Sequence, residues 1–202
     1  MHELLEQHLH PTFSFLYSAQ QITKAKAVEF IFILGAKATY TDESKTDEGT
    51  GSSYFILENY RIIASWQGKL DHSNSVFQAG ILAIKMAIEA ASFLHRPIKN
   101  CTNSLLSLMT ILNPKSHHSM VQEIQTLLLS HKHIHLRWLK AHVGYLGNEC
   151  ADQLAKEAIT KGDPIFLHTP LSYLKSEIRS VALSFSVKTT GITQKLAAVH
   201  TI

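Results

Sequence analysis

The hydrophobic period changes once along the chain, near residue 75, and that change limits the folds open to it. Before it, branched and aromatic residues come in short runs, VEFIFILGAKATY at 28–40 and SYFILENYRIIASWQGKL at 53–70. Such runs predict strands, the second split in two by a tight turn near Glu58–Asn59–Tyr60. Between them TDESKTDEGTGSS reads as a polar turn, with Gly49 and Gly51 supplying flexible backbone. After the change, Val76, Ala79, Ala83, Met86, Ala87, Ala90 and Leu94 recur at three- and four-residue spacing, which predicts an amphipathic helix over 75–94 that Pro97 closes. Ile98–Thr102 is a short strand, NSLLSLMTIL is helical, and Pro114 separates it from a further helix over 116–130. HIHLRWL alternates, with Ile134, Leu136 and Trp138 on one face and His133, His135 and Arg137 on the other, as in a strand with one buried face. A last helix begins near Asn148, striped by Ala151, Leu154, Ala155, Ala158 and Ile159. Three antiparallel strands followed by strand–helix alternation predict an α/β fold: a five-stranded mixed sheet flanked by helices.

Composition narrows the class. With 45% hydrophobic and 17% charged residues in 202, the chain supports a packed core and is not a disordered polymer. A formal charge of +3 permits nucleic-acid binding without arguing strongly for it. Two cysteines, Cys101 and Cys150, are too few for a disulfide framework and predict an intracellular protein, cytoplasmic or nuclear. MHELLEQHLHP has no targeting pattern, and the run from Phe30 to Ala36 is far short of the roughly 20 residues a membrane-spanning helix needs, so no membrane role is expected.

Four segments in order resemble type 1 ribonuclease H domains. YTDESK at 40–45 is similar to the first-strand motif Tyr-Thr-Asp-Gly-Ser-Lys, and SVFQAGILAIKMAI at 75–88 to the first-helix motif Phe-Gln-Ala-Glu-Leu-Leu-Ala-Ile. CTNSLLSL at 101–108 resembles Thr-Asp-Ser-Leu, and LRWLKAHVGYLGNECADQLAKEA at 136–158 resembles the block Trp-Val-x-x-His-x-Gly-x-x-Gly-Asn-Glu-x-Ala-Asp. The wording of the last block is nearest to ribonuclease H domains of non-LTR retrotransposon reverse-transcriptase polyproteins. The resemblance covers 38–162. It leaves 1–37 as an N-terminal extension and 163–202 as a C-terminal one, in which PLSYLKSEIRS reads as a trailing helix.

That resemblance implies two-metal hydrolysis of the RNA strand of an RNA–DNA hybrid, with Mg²⁺ or Mn²⁺ held by four acids. Carboxylates suit the task because Mg²⁺ is a hard ion that prefers charged oxygen ligands. The first position maps to Asp42 and the fourth to Asp152, both intact, and both are the implied metal ligands. The second falls on Gly80, where FQAG replaces Phe-Gln-Ala-Glu, and the third on Asn103, where CTNS replaces Thr-Asp-Ser. One metal site keeps its protein ligands and the other is largely dismantled. His142, in KAHVG, matches the loop histidine that assists turnover, which makes Asp42, Asp152 and His142 the expected catalytic set. No other acid is expected to substitute. Glu43 neighbours Asp42 on a strand and so points to the opposite face, while Glu89 lies nine residues past Gly80 on the far side of the helix. Glu149 belongs to the Gly-Asn-Glu motif. In the family, glycine stands where this chain has Glu43, so the carboxylate is expected to add bulk and charge where a phosphate approaches.

Other chemistry-bearing residues read more plainly. His131, His133 and His135 share one strand face at alternate spacing, but no acid or cysteine completes a metal site, so a polar outward face is expected. Cys101 and Cys150 read as small packing residues, Trp66 and Trp138 as core. The sequence therefore predicts a nucleic-acid-binding domain with impaired catalysis and weak affinity for RNA–DNA hybrid. An active hybrid nuclease with a reduced metal site, or a non-catalytic module binding nucleic acid or protein, are the alternatives.

Overall fold

The computed structural model describes residues 37–59, 61–141 and 143–184, and the chain divides into two compact units, 1–166 and 167–202. In the first unit, β1 (Lys37–Thr46), β2 (Gly49–Glu58) and β3 (Arg61–Leu70) form an antiparallel meander. Then come α1 (Val76–Ser92), β4 (Ile98–Thr102), α2 (Leu105–Leu112), α3 (Ser119–Ser130), β5 (Ile134–Trp138), α4 (Leu146–Lys161) and β6 (Asp163–Pro164). The sheet order is β5-β4-β1-β2-β3-β6, with β4 parallel to both β1 and β5. In the second unit residues 171–184 are helical.

Local chemistry explains the joints. Asn59 turns β2 into β3 with φ 47°, a left-handed conformation that asparagine tolerates better than most residues. Ser75 caps α1: the Gln78 amide donates to its Oγ at 3.2 Å, and its own amide donates to Gln78 Oε1 at 3.0 Å. The apolar stripe of α1 packs on one sheet face through Ile81, Ile84 and Ile88, with α3 adding Val121 and Ile124. On the other face α4 lays Cys150, Ala151 and Leu154 over Tyr40, Phe55 and Leu57.

The mixed sheet flanked by helices is as the sequence predicts, with four differences. The sheet has six strands, not five: β6 is a two-residue pairing of Asp163–Pro164 with Gly68–Lys69, too short to leave any period in the sequence. β1 and β4 lie inside the sheet as expected, but β5 is its edge. Being at the edge, β5 loses its cover toward its end, so Trp138 is 43% exposed rather than core. Residues 41–53 are mostly strand, the turn being confined to 47–48, because buried hydroxyls make strand interior out of what reads as polar loop. His131 ends α3 with Nδ1 3.0 Å from the Leu127 carbonyl, and His133 Nε2 lies 3.4 Å from that of Ala91, so these two rings serve helix ends.

Candidate active site

The register of β1 on β4 runs from Lys37 opposite Ile98 to Thr41 opposite Thr102, so the next residues, Asp42 and Asn103, emerge side by side at the strand ends. They meet: Asn103 Nδ2 donates to Asp42 Oδ2 at 2.9 Å. The Glu43 amide donates to Asp42 Oδ1 at 2.8 Å, and Asp42 is only 4% exposed.

Two adjacent serines on β2 place the helices. Ser53 stands opposite Asp42 and donates its hydroxyl to the Ala151 carbonyl of α4 at 2.9 Å; Asp152 follows directly. Ser52 stands opposite Glu43 and donates to the Ala79 carbonyl of α1 at 2.8 Å; Gly80 follows directly. Consecutive strand residues face opposite ways, so each serine ties one helix to one sheet face, one residue before an implied acid position. Close approach requires glycine at two points. A side chain at Gly51 would overlap the Ala155 carbonyl of α4, and one at Gly147 would overlap the Tyr40 ring.

Asp152 is drawn to the ammonium of Lys156, 2.6 Å from its Oδ2. That hydrogen bond, with the charges of Asp152, Asp42 and Glu149, holds the Lys156 ammonium above its ordinary range. Lys156 thus responds to both surviving acids, which places them on one side of the domain.

Glu43 departs from its expected position. Strand alternation does send it to the face opposite Asp42, but that is the face α1 covers, and Gly80 lies there. A Cβ built on Gly80 would stand 3.0 Å from Glu43 Oε2, 3.1 Å from its Cδ and 3.0 Å from Ser107 Oγ. The carboxylate therefore turns inward beside the vacated position. Its Oε2 is buried without a hydrogen-bond partner. Burial first, then the Asp42 charge, push the Glu43 carboxyl up to about 8, with a Ser104 hydrogen bond opposing them. The Ser104 and Ser107 hydroxyls lie 2.8 Å apart.

Of the sequence-expected set, Asp42, Gly80, Asn103 and Asp152 come to one end of the sheet, and His142 lies outside the described residues. Trp138, expected in the core, is instead at the site, its indole Nε1 donating to the Asn103 carbonyl at 3.1 Å. Sequence reasoning missed the two serines and the inward turn of Glu43. The serines carried one signal, a pair of small hydroxyls opposite the acid motif. Among the described residues no three His, Cys, Asp or Glu side chains gather into a metal-holding group. A pair of divalent ions does not fit, because the Asn103 amide presents its nitrogen to Asp42. A single ion does fit, since the unpartnered Glu43 oxygen is an acceptor in want of a cation.

A mixed sheet in this order, with an acid at the end of β1 and helices on both faces, defines a ribonuclease H-like α/β domain. The chain belongs to the RNase H family, whose model matches residues 34–160. It is similar to the foamy viral protease–reverse transcriptase solved with RNA/DNA hybrid, at TM-score 0.56 and 21% identity over 63% of this chain and 20% of that one. A foamy viral protease–reverse transcriptase structure with dsDNA gives TM-score 0.55 and 21% identity, over 63% of this chain and 96% of that one. RNase H1 from the archaeon Halobacterium salinarum NRC-1 gives 0.51 and 19%, over 62% and 98%. At these identities the likeness is one of fold. No curated protein sequence matches the chain.

Proposed function

We propose that this domain binds RNA–DNA hybrid weakly and without sequence preference, and hydrolyses its RNA strand at or near background. The observation that carries the reading is the pair of exchanged positions: Gly80 brings no side chain, and Asn103 donates a hydrogen bond to Asp42 where the family has an acid. Asp42, with Asp152 once released from Lys156, would hold one divalent cation, Mg²⁺ or Mn²⁺. When bound, such an ion supplies charge that lowers the pKa of a water. Around it, the residues present do three things. Asn103 fixes the orientation of Asp42, Lys156 neutralises Asp152, and exposed Trp138 offers an aromatic surface beside the strand end. None of these supplies a charge to a leaving oxygen, which supports impaired turnover.

Binding is supported by neighbours whose structures hold RNA/DNA hybrid and dsDNA, and by a positive but small net charge. Descent from a non-LTR retrotransposon polyprotein is supported by the wording of residues 136–158. Two unpaired buried thiols support an intracellular setting, in cytoplasm or nucleus. The test is a titration of labelled hybrid in EDTA against salt. Affinity should fall with rising salt, alike for hybrids of unrelated sequence, because phosphate contacts dominate such binding. Tight, sequence-specific binding to duplex DNA, or no hybrid binding at low salt, would overturn it.

One observation favours the second reading, an active nuclease with a reduced site: the Glu43 carboxylate lies beside Gly80.

A further inference from the structure

We propose that Glu43 is the second acid relocated, a metal-ligating carboxylate delivered from β1 to the place beside Gly80 that α1 no longer fills. The inference rests on the ribonuclease H reading of the site and deepens it. In the family motifs glycine follows the first acid and glutamate stands on the helix; here the two residue types have changed places, Glu43 on the strand and Gly80 on the helix. The exchange conserves both charge and volume at the point where β1 meets α1. Each half of it explains the other. A side chain at 80 would start 3.0 Å from Glu43 Oε2, so the inward Glu43 needs the missing Cβ, and the missing Cβ leaves a space that Glu43 occupies.

Independent of this fit, the carboxylate has an unmet bond. Glu43 Oε2 is buried and accepts nothing, although the Ser104 hydroxyl reaches the same carboxyl group. An orphaned buried acceptor costs stability unless something fills it. Among the described side chains the cations are engaged elsewhere: Lys156 pairs with Asp152, and Lys85 with Glu89 and Glu123. A hard divalent ion is the class of partner that one buried carboxylate oxygen beside a second carboxylate recognises, with water completing its shell. Asp42 and Glu43 together make that pair.

The test is Mn²⁺ binding by titration calorimetry, with the full chain and no nucleic acid, for wild type, Glu43→Gln, Glu43→Gly and the exchange variant Glu43→Gly/Gly80→Glu. Glu43→Gln keeps the shape and hydrogen-bonding capacity of the side chain, so it should fold. Its affinity should fall about tenfold or more, as expected when a charged ligand is neutralised. The exchange variant should bind within about threefold of wild type and well above Glu43→Gly alone, since it returns the carboxylate from the other side. Equal affinity of wild type and Glu43→Gln would overturn the proposal, as would an exchange variant no better than Glu43→Gly. Absence of Mn²⁺ binding by wild type would overturn it alone, because hybrid binding in EDTA, the test of the proposed function, needs no cation.

Discussion

At the scale of single residues, Glu43 carries the largest consequence, and it shows how far the sequence could be read. Alternation along a strand correctly separated Glu43 from Asp42. What it left out was that the implied acids come from both faces of the sheet, so the face opposite Asp42 was where Gly80 would lie. Asp42, Asn103 and Asp152 were legible because each sits in a motif whose spacing survives. Glu43 was not, because its role depends on a void in another element. Its raised carboxyl also makes stability depend on pH. The folded state holds that proton with a value of about 8 against an ordinary 4.5, so the folded chain binds it more tightly than the unfolded one. The stability this supports is full below 4.5 and lost as pH rises through about 8. Urea midpoints should therefore drop between about pH 5 and pH 9 in wild type and drop less in Glu43→Gln. Parallel declines would contradict the burial argument. Cys150 behaves differently: burial first, then the Glu149 charge, push its thiol up to about 12. Native protein should thus react slowly with iodoacetamide at Cys150 and quickly in urea, as peptide mapping would show.

At the scale of elements, β2 organises the site more than either motif-bearing helix. Its sequence, GTGSSYFILE, begins with residues that read as a turn, and only the two helices above and below make them strand interior. Period-2 alternation is invisible when both faces are buried and one stretch is small and polar. The later elements were legible because their apolar spacing matches one exposed and one buried face. Replacing Gly51 with alanine drives a methyl into the Ala155 carbonyl, which is backbone and cannot step aside. The variant should lose at least about 2–3 kcal/mol in chemical denaturation, in the upper range for overpacking. Ser53→Ala removes only the hydroxyl that ties α4 down and leaves the Ala151 carbonyl its place in the helix. About 1 kcal/mol is the expected loss. A Gly51→Ala variant as stable as Ser53→Ala would mean that α4 is not held against β2 as described.

At the scale of the whole molecule, the domain keeps the scaffold of its family while the chemistry at the sheet end is rearranged. The order of strands and helices carried the fold in the sequence; the short β6 and the edge position of β5 did not, because pairing partners are a property of the assembled sheet. The structure also changes how the lost acids should be restored. Gly80→Glu made alone would set its new side chain against Glu43, so restoration calls for Glu43→Gly, Gly80→Glu and Asn103→Asp in one chain. Single restorations should help little, because residues of one site act as a unit. The direct measurement is Mg²⁺-dependent cleavage of a labelled RNA–DNA hybrid by wild type, the triple variant and Asp42→Asn. Wild type should stay at background and the triple variant should cleave measurably. Robust cleavage by wild type, abolished by Asp42→Asn, would contradict the claim that this site no longer turns over.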